Sequence, residues 1–124
     1  MKIHPDPISV QSVHSYGPGW VQVDDQKFTS SLVIDTRGER FDWGCERFED
    51  LSSAHFERLA KLGPEMVIFG SGERLRFAAP HLTRALIEQQ IGLDTMDTQA
   101  ACRTYNILAS EGRCVTLALL IESR

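Results

Sequence analysis

The sequence GLDTMDTQAACRTYNIL (residues 92–108) joins a predicted strand directly to a predicted helix. GLDTM has the length and position of a short strand. Asp97 or Thr98 can cap the helix that follows, because a short polar side chain accepts hydrogen bonds from the first free backbone N–H groups. The helix is predicted to run to about Ser110, and Gly112 ends it. This unit decides the fold class, since further strands and a helix surround it.

Two continuous apolar runs lie on either side of this unit. MVIFG (66–70) and CVTLALLI (114–121) are typical of strands that are covered on both faces of a sheet. Pro80 suits the first turn of a helix that runs to about Gln90, and RLRF (74–77) predicts a short extra strand. The order strand, helix, strand, helix, strand favours a largely parallel sheet between helices, with right-handed crossovers.

The first third of the chain indicates β-structure instead. SVQSVHSY (9–16) and WVQV (20–23) flank the turn GPG and predict a hairpin. KFTSSLVID (27–35) and FDW (41–43) predict two more strands, and a helix begins at Ser52 or Ser53 and ends at Gly63. We therefore predict a single α/β domain over residues 1–124, in which an N-terminal antiparallel β-meander is joined to a βαβαβ half.

The composition excludes several classes of partner. The chain has 124 residues, 42% of them hydrophobic, and a net charge of -4, which argues against electrostatic binding to nucleic acid. Its longest apolar run, VTLALLI, is far shorter than the roughly 20 residues of a membrane-spanning helix. The start of the chain lacks the apolar core of a signal peptide. We therefore expect a cytoplasmic protein without direct membrane insertion.

The cysteines and histidines predict neither a disulfide scaffold nor a metal site. Cys45, Cys102 and Cys114 form no CxxC pair and are odd in number. The four histidines are isolated along the chain, and none lies at metal-ligand spacing from another histidine or cysteine. No cofactor is expected.

A candidate site lies at the carboxyl ends of two predicted parallel strands. Strands 66–69 and 93–96 would end at the same edge of the sheet, where open α/β sheets bind ligands. The loop Gly70, Ser71, Gly72 would meet the helix start DTQAAC there. Such glycines can direct backbone N–H groups toward an anion. However, GSGERL lacks the third glycine of the dinucleotide fingerprint and brings Glu73, so a tight turn is the favoured interpretation.

Cys102, Arg103 and Asn106 are the candidate functional side chains of the helix. At about 100° per residue, Ala101 and Tyr105 centre its apolar stripe, Cys102 lies on a shoulder of that stripe, and the other two lie on the polar side. The neighbouring arginine could lower the pKa of the Cys102 thiol. No histidine lies nearby in sequence to act as a base, so packing is the favoured role of the thiol. The polar pair forms either a solvated face or a contact with the sheet edge or a partner protein.

Six segments in a fixed order resemble a known family. They are SLVI, FDW, EMVIFGSG, RFAAP, GLDTMDTQAACRTYNIL and SEGRCVTLALL. Together they resemble the MTH-like domain family, which occurs in many bacterial and archaeal proteins and includes mitochondrial complex I assembly factor 3. The likeness covers nearly the whole chain, although the family usually reads G-T-G where this chain has GSG. It implies a three-layer α/β fold with a mixed central sheet, no established catalytic activity and, for the mitochondrial members, assembly work through protein partners.

Two function hypotheses follow. The first is a non-enzymatic protein-interaction domain that helps to assemble a membrane (respiratory) complex, with its partner surface at residues 70–72 and around Arg103 and Asn106. The alternative is a small-molecule-binding protein or redox enzyme that uses Cys102 beside the same loop. The last predicted strand ends close to the C-terminus, so we also expect it to form an exposed edge that pairs across a homodimer.

Overall fold

The computed structural model describes residues 10–122, so the absence of a signal peptide predicted for the first residues lies outside the described range. Within that range eight strands form two sheets. The first sheet is antiparallel, in the order β1-β2-β3, and consists of β1 Val13–Gly17, β2 Trp20–Val23 and β3 Gln26–Phe28. The second has the order β5-β4-β8-β6-β7 and consists of β4 Leu32–Asp35, β5 Arg40–Asp42, β6 Met66–Gly70, β7 Gly92–Met96 and β8 Val115–Leu119.

The five-stranded sheet is mixed. Strand β6 is parallel to both of its neighbours, β7 and β8, whereas β4 is antiparallel to both β5 and β8. The C-terminal strand β8 therefore lies at the centre of the sheet, paired on both sides. This overturns the expectation that it forms an exposed edge for a homodimer. Every residue of β8 is buried, and pairing with β4 and β6 supplies hydrogen-bond partners for its backbone groups in the interior.

Helices and the smaller sheet cover the two faces of the mixed sheet. The helices are α1 Ser53–Ala60, α2 Arg84–Glu88 and α3 Thr98–Ser110, with 3₁₀ turns at Phe48–Asp50 and Pro80–Thr83. On one face, α3 and the smaller sheet pack in a core that contains Val21, Ile68 and Tyr105. On the other face, α1 and α2 pack in a core that contains Phe56 and Phe69. The predicted α/β fold with three layers and a mixed central sheet is confirmed.

Two predicted strands differ from those observed. The run 27–35 is two strands in different sheets, because Ser31 turns the chain between them: its hydroxyl accepts a hydrogen bond from the Ile121 N–H at 2.9 Å. The run 74–77 is a loop, because the Arg76 N–H donates to the Ser71 hydroxyl at 2.9 Å and folds the chain back. The helix predicted from Pro80 is a 3₁₀ turn followed by the short α2.

Candidate functional site

An open pocket of about 490 Å³ lies beside Gly72. Its walls come from the β1–β2 turn of the smaller sheet, the loop after β6, the start of α3 and the residues that follow β8. The pocket is thus at the carboxyl ends of the parallel strands β6 and β8, whereas the sequence predicted a site at the carboxyl ends of β6 and β7. The lining residues are Gly17, Gly19, Trp20, Val21, Gly72, Glu73, Arg74, Arg76, Thr98, Leu120, Ile121 and Glu122.

The Trp20 indole forms one wall and is held by its neighbours. It lies against Gly17, where an added Cβ would be only 2.5 Å from the indole nitrogen, so the position admits only glycine in this arrangement. The Lys27 ammonium is 4.6 Å from the ring centroid on the adjacent strand, at a distance suited to a cation–π contact. The GPG turn before Trp20 therefore positions an aromatic side chain at the pocket.

The loop after β6 is fixed by Ser71. Its N–H donates to the Met96 carbonyl at 2.8 Å, and its hydroxyl accepts from the Arg76 N–H and donates to the Arg74 carbonyl at 2.9 Å. The side chain is fully buried, so it shapes the loop from beneath and does not line the pocket. Gly72 follows with a φ of +107°, which favours glycine, and it does line the pocket.

Arg76 and Glu122 form an ion pair on the pocket wall. The guanidinium donates to the Glu122 carboxylate at 2.7 Å and to the Ser71 carbonyl at 2.6 Å, and it lies 4.7 Å from the Phe48 ring centroid. The second carboxylate oxygen accepts from the Phe48 N–H at 2.9 Å. Burial acts to raise the pKa of Glu122, but the hydrogen bonds from Arg76 and Phe48, together with the positive charges of Arg76 and Arg74, outweigh it and leave the pKa below its ordinary value.

Gly70 belongs to the core beneath α3. A Cβ at this position would be 2.7 Å from the Leu119 Cδ2 and 3.2 Å from the Ala101 Cβ. The close approach of α3 to β6 therefore depends on a missing side chain. The helix itself begins as predicted, because the Asp97 side chain accepts a hydrogen bond from the Ala100 N–H at 2.9 Å. Of the three loop residues predicted for the site, only Gly72 lines the pocket.

Cys102 lies in the core and not at the pocket. Its side chain is fully buried among the residues that α3 packs against the sheets. Burial raises the pKa of the thiol to about 12, and the neighbouring Arg103 lowers it only in part. This position agrees with the favoured packing role. The thiol is more buried than a place on the shoulder of the apolar stripe indicates, because α3 is covered by the mixed sheet and also by β1 of the smaller sheet. The thiol is neither accessible nor acidic.

Arg103 and Asn106 have different surroundings. Asn106 hydrogen-bonds both backbone groups of Val13, with its Nδ2 donating at 2.8 Å and its Oδ1 accepting at 2.9 Å, so its role is to attach β1 to α3. Arg103 is exposed, and its guanidinium donates to the Tyr16 hydroxyl at 3.3 Å. Arg103 does not line the pocket, although Gly17, which follows Tyr16 in the chain, does. Asn106 does not belong to a free surface.

Two apolar side chains of the loop after β6 project into solvent. Leu75 is 52% exposed and Phe77 is 69% exposed, on the same loop that supplies Gly72 and Arg76 to the pocket wall. The sequence RLRF predicts a strand, in which Leu75 and Phe77 would share a covered face, so the exposure of this pair could not be foreseen from the sequence. Exposed aromatic side chains next to a pocket are typical of binding surfaces.

The helices between residues 10 and 122 include none that is long and apolar enough to cross a bilayer. Over the same range, no three or more histidine, cysteine, aspartate or glutamate side chains converge as metal ligands.

The chain is similar to several known proteins. Residues 13–120 match the family described as "Protein of unknown function (DUF498/DUF598)". A crystal structure of a protein from Bordetella parapertussis has a TM-score of 0.85 and 35% identity, and the match covers 91% of this chain and 97% of that one. A solution structure of a Mth938-like domain from Bordetella pertussis has a TM-score of 0.84 and 30% identity, over 99% and 94% of the two chains.

The name of one relative states a function. NADH dehydrogenase [ubiquinone] 1 alpha subcomplex assembly factor 3 from Bos taurus is 34% identical over 80 residues, which are 63% of this chain and 44% of that protein. The chain thus matches less than half the length of this relative. The match over residues 13–120 and the likeness to the two Bordetella structures confirm the resemblance to the MTH-like domains: the chain belongs to the DUF498/DUF598 family.

Proposed function

We propose that this chain is an assembly-factor domain, which binds a protein partner during the construction of a membrane-bound respiratory complex and does not itself turn over a substrate. The name of the bovine relative supports the process. The observation that carries the proposal is the loop after β6, which is held in place by Ser71 and Arg76 yet exposes Leu75 and Phe77.

The chemistry of this loop suits transient protein contact. Leu75 and Phe77 provide apolar area, and the neighbouring pocket wall provides the Trp20 indole and the paired charges of Arg76 and Glu122. A patch with an aromatic centre and a polar rim is typical of protein interfaces. The order of the loop also lowers the entropic cost of binding, because its backbone is already fixed by hydrogen bonds.

The redox alternative receives no support from the position of Cys102. A nucleophilic or redox-active cysteine needs access to its substrate and a population of thiolate near neutral pH. Cys102 is fully buried and burial raises its pKa to about 12. We therefore do not propose thiol chemistry for this chain.

The proposal is tested by complementation in cells of the source organism that lack the gene. Native gel electrophoresis measures the amount of fully assembled NADH dehydrogenase and of its subassemblies. We expect deletion to lower the assembled form, wild-type protein to restore it, and the double variant Leu75→Ser, Phe77→Ser to fail. Ile107→Ser is the matched control, because Ile107 is an apolar residue that is 58% exposed on α3, and it should restore assembly.

Both variants should remain folded, with melting temperatures within about 4 °C of the wild type, because the altered side chains are exposed. An unchanged amount of assembled complex after deletion would contradict the assembly role. Full restoration by the double variant would show that the loop is not the partner surface.

A further inference from the structure

Strand β7 forms one edge of the mixed sheet, with β6 as its one neighbour in that sheet. The Gly92 N–H donates to the Glu65 carbonyl at 3.1 Å, and the Met96 carbonyl accepts from the Ser71 N–H at 2.8 Å. In a parallel pair, alternate residues of a strand direct their backbone groups to the same neighbour. The first, third and fifth residues of β7 therefore face β6.

The second and fourth residues of β7, Leu93 and Thr95, direct their backbone N–H and C=O groups away from the sheet. Within residues 10–122 these outward groups make no hydrogen bond. Such a row of free donors and acceptors is a template for an added strand.

The other sheet edges are either shorter than β7 or bound by a side chain. In the smaller sheet, Asn106 hydrogen-bonds both backbone groups of Val13, the first residue of β1. Strands β3 and β5 have three residues each, whereas β7 has five. Among the edges that the structure describes, β7 is therefore the longest one that is not capped by a side chain.

Asp94 determines which strand can be added. It is exposed at the middle of β7 and makes no ion pair or hydrogen bond with its side chain in the described part of the chain. If two copies paired β7 with β7 in antiparallel fashion, the register that uses Leu93 and Thr95 of both copies would place Asp94 directly opposite Asp94. Like charges at opposed positions are destabilising, so this edge disfavours a second copy of the chain.

We propose that the β7 edge binds an extended peptide segment of a partner protein as a sixth strand, with a lysine or arginine of that segment opposite Asp94. The residues that flank the basic one would lie on the face of Leu93, which packs in the core with α2. Helix α2 contacts β7 and exposes Ile87 by 66%. The segment recognised is thus apolar–basic–apolar in an extended conformation. The inference is independent of the assembly proposal and concerns a different surface.

Amide hydrogen exchange tests the premise in the free protein. The Asp94 amide should exchange more slowly than the Leu93 and Thr95 amides, by roughly tenfold or more, because it alone donates to β6. Equal protection of the three amides would mean that the edge is already covered and would overturn the proposal.

Peptide titration monitored by NMR tests the recognition. The probe is acetyl-TVKVT-amide, and acetyl-TVEVT-amide is its matched control. We expect the lysine peptide to shift and protect the Leu93 and Thr95 amides at about millimolar concentration and to bind about fivefold more tightly than the glutamate peptide. The variant Asp94→Lys should reverse this preference, and Asp94→Asn should abolish it.

Two results would overturn the proposal. One is the absence of any shift at Leu93 and Thr95 with the lysine peptide at millimolar concentration. The other is binding that is indifferent to exchange of lysine for glutamate in the wild type and in Asp94→Lys. Unchanged melting temperatures of the two variants establish that a changed preference reflects the edge and not a loss of folding.

Discussion

Asn106 of α3 binds both backbone groups of Val13 in β1. Its Nδ2 donates to the Val13 carbonyl at 2.8 Å, and its Oδ1 accepts from the Val13 N–H at 2.9 Å, although the two residues are 93 positions apart. The Asn106 side chain therefore pairs with Val13 at the position where a further strand of the smaller sheet would form its hydrogen bonds. This contact fixes the smaller sheet to α3 and, through it, one wall of the pocket.

We expect Asn106→Ala to lower the free energy of unfolding by roughly 1–3 kcal/mol, because it leaves the Val13 N–H and C=O without partners. Urea denaturation measures the change. Ser110→Ala is the matched control on the same helix: its exposed hydroxyl donates to the Ile107 carbonyl of the same helical turn, where water can replace it, and we expect a change below about 0.5 kcal/mol. Equal effects of the two substitutions would show that the backbone N–H and C=O of Val13 form hydrogen bonds with water in the Asn106→Ala variant.

The ion pair between Arg76 and Glu122 should make stability depend on pH. The folded pKa of Glu122 lies below its ordinary value of 4.5, which it regains on unfolding. Its contribution is therefore fully present above about pH 4.5 and is lost as the pH falls through the folded pKa. We expect Glu122→Gln to cost about 1–2 kcal/mol at pH 7 and progressively less as the pH falls below 4.5.

The measurement is urea denaturation of the wild type and Glu122→Gln from pH 7 to pH 3. Glu111→Gln controls for the loss of a carboxylate, since Glu111 is exposed at the end of α3, and it should change the free energy of unfolding by less than about 0.5 kcal/mol at pH 7. If the cost of Glu122→Gln stayed constant over this range, the stabilisation by Glu122 would not depend on the ion pair between its carboxylate and Arg76.

The fold could be predicted because its signals are local. The apolar runs 66–70 and 114–121 are strands covered on both faces, and the Asp97 cap and the helix to Ser110 follow from residues close in sequence. The order of the strands in the sheet could not be predicted from local signals. Placement of β8 between β4 and β6 depends on contacts between distant segments, and nothing in its own sequence distinguishes a central strand at the end of the chain from an edge strand.

Most of the side chains that line the pocket could not be predicted from the sequence. Strands β6 and β8 do end near Gly72. However, Arg76 and Glu122 are 46 residues apart, and neither segment contains a pattern that predicts their ion pair. The helical wheel favoured a packing role for Cys102 but understated its burial, because a wheel assumes one covered side. Helix α3 is covered by two sheets, so a residue on the shoulder of one apolar stripe can be fully buried.

Cys102 should resist alkylation in the folded protein. Cys114 is partly exposed, whereas Cys102 is fully buried with its pKa raised to about 12. We expect iodoacetamide to modify Cys114 first and Cys102 only at the rate of unfolding, as followed by mass spectrometry of proteolytic fragments. Rapid modification of Cys102 at pH 7 without loss of folded structure would return the thiol to consideration as a reactive group.

Gly70 should be intolerant of even one methyl group. A Cβ there would lie 2.7 Å from the Leu119 Cδ2 and 3.2 Å from the Ala101 Cβ, so the Leu119 side chain and α3 would both have to shift. We expect Gly70→Ala to lower the free energy of unfolding by about 1–3 kcal/mol through overpacking. Gly92→Ala is the matched control in the neighbouring strand, because its Cβ would meet the Met66 Cβ at an ordinary 3.4 Å. We expect its effect to be within about 0.5 kcal/mol of zero. Unfolding of both variants at the same urea concentration would mean that the contact between α3 and β6 is looser than these distances indicate. The pocket, which begins two residues later at Gly72, could then change its shape as well.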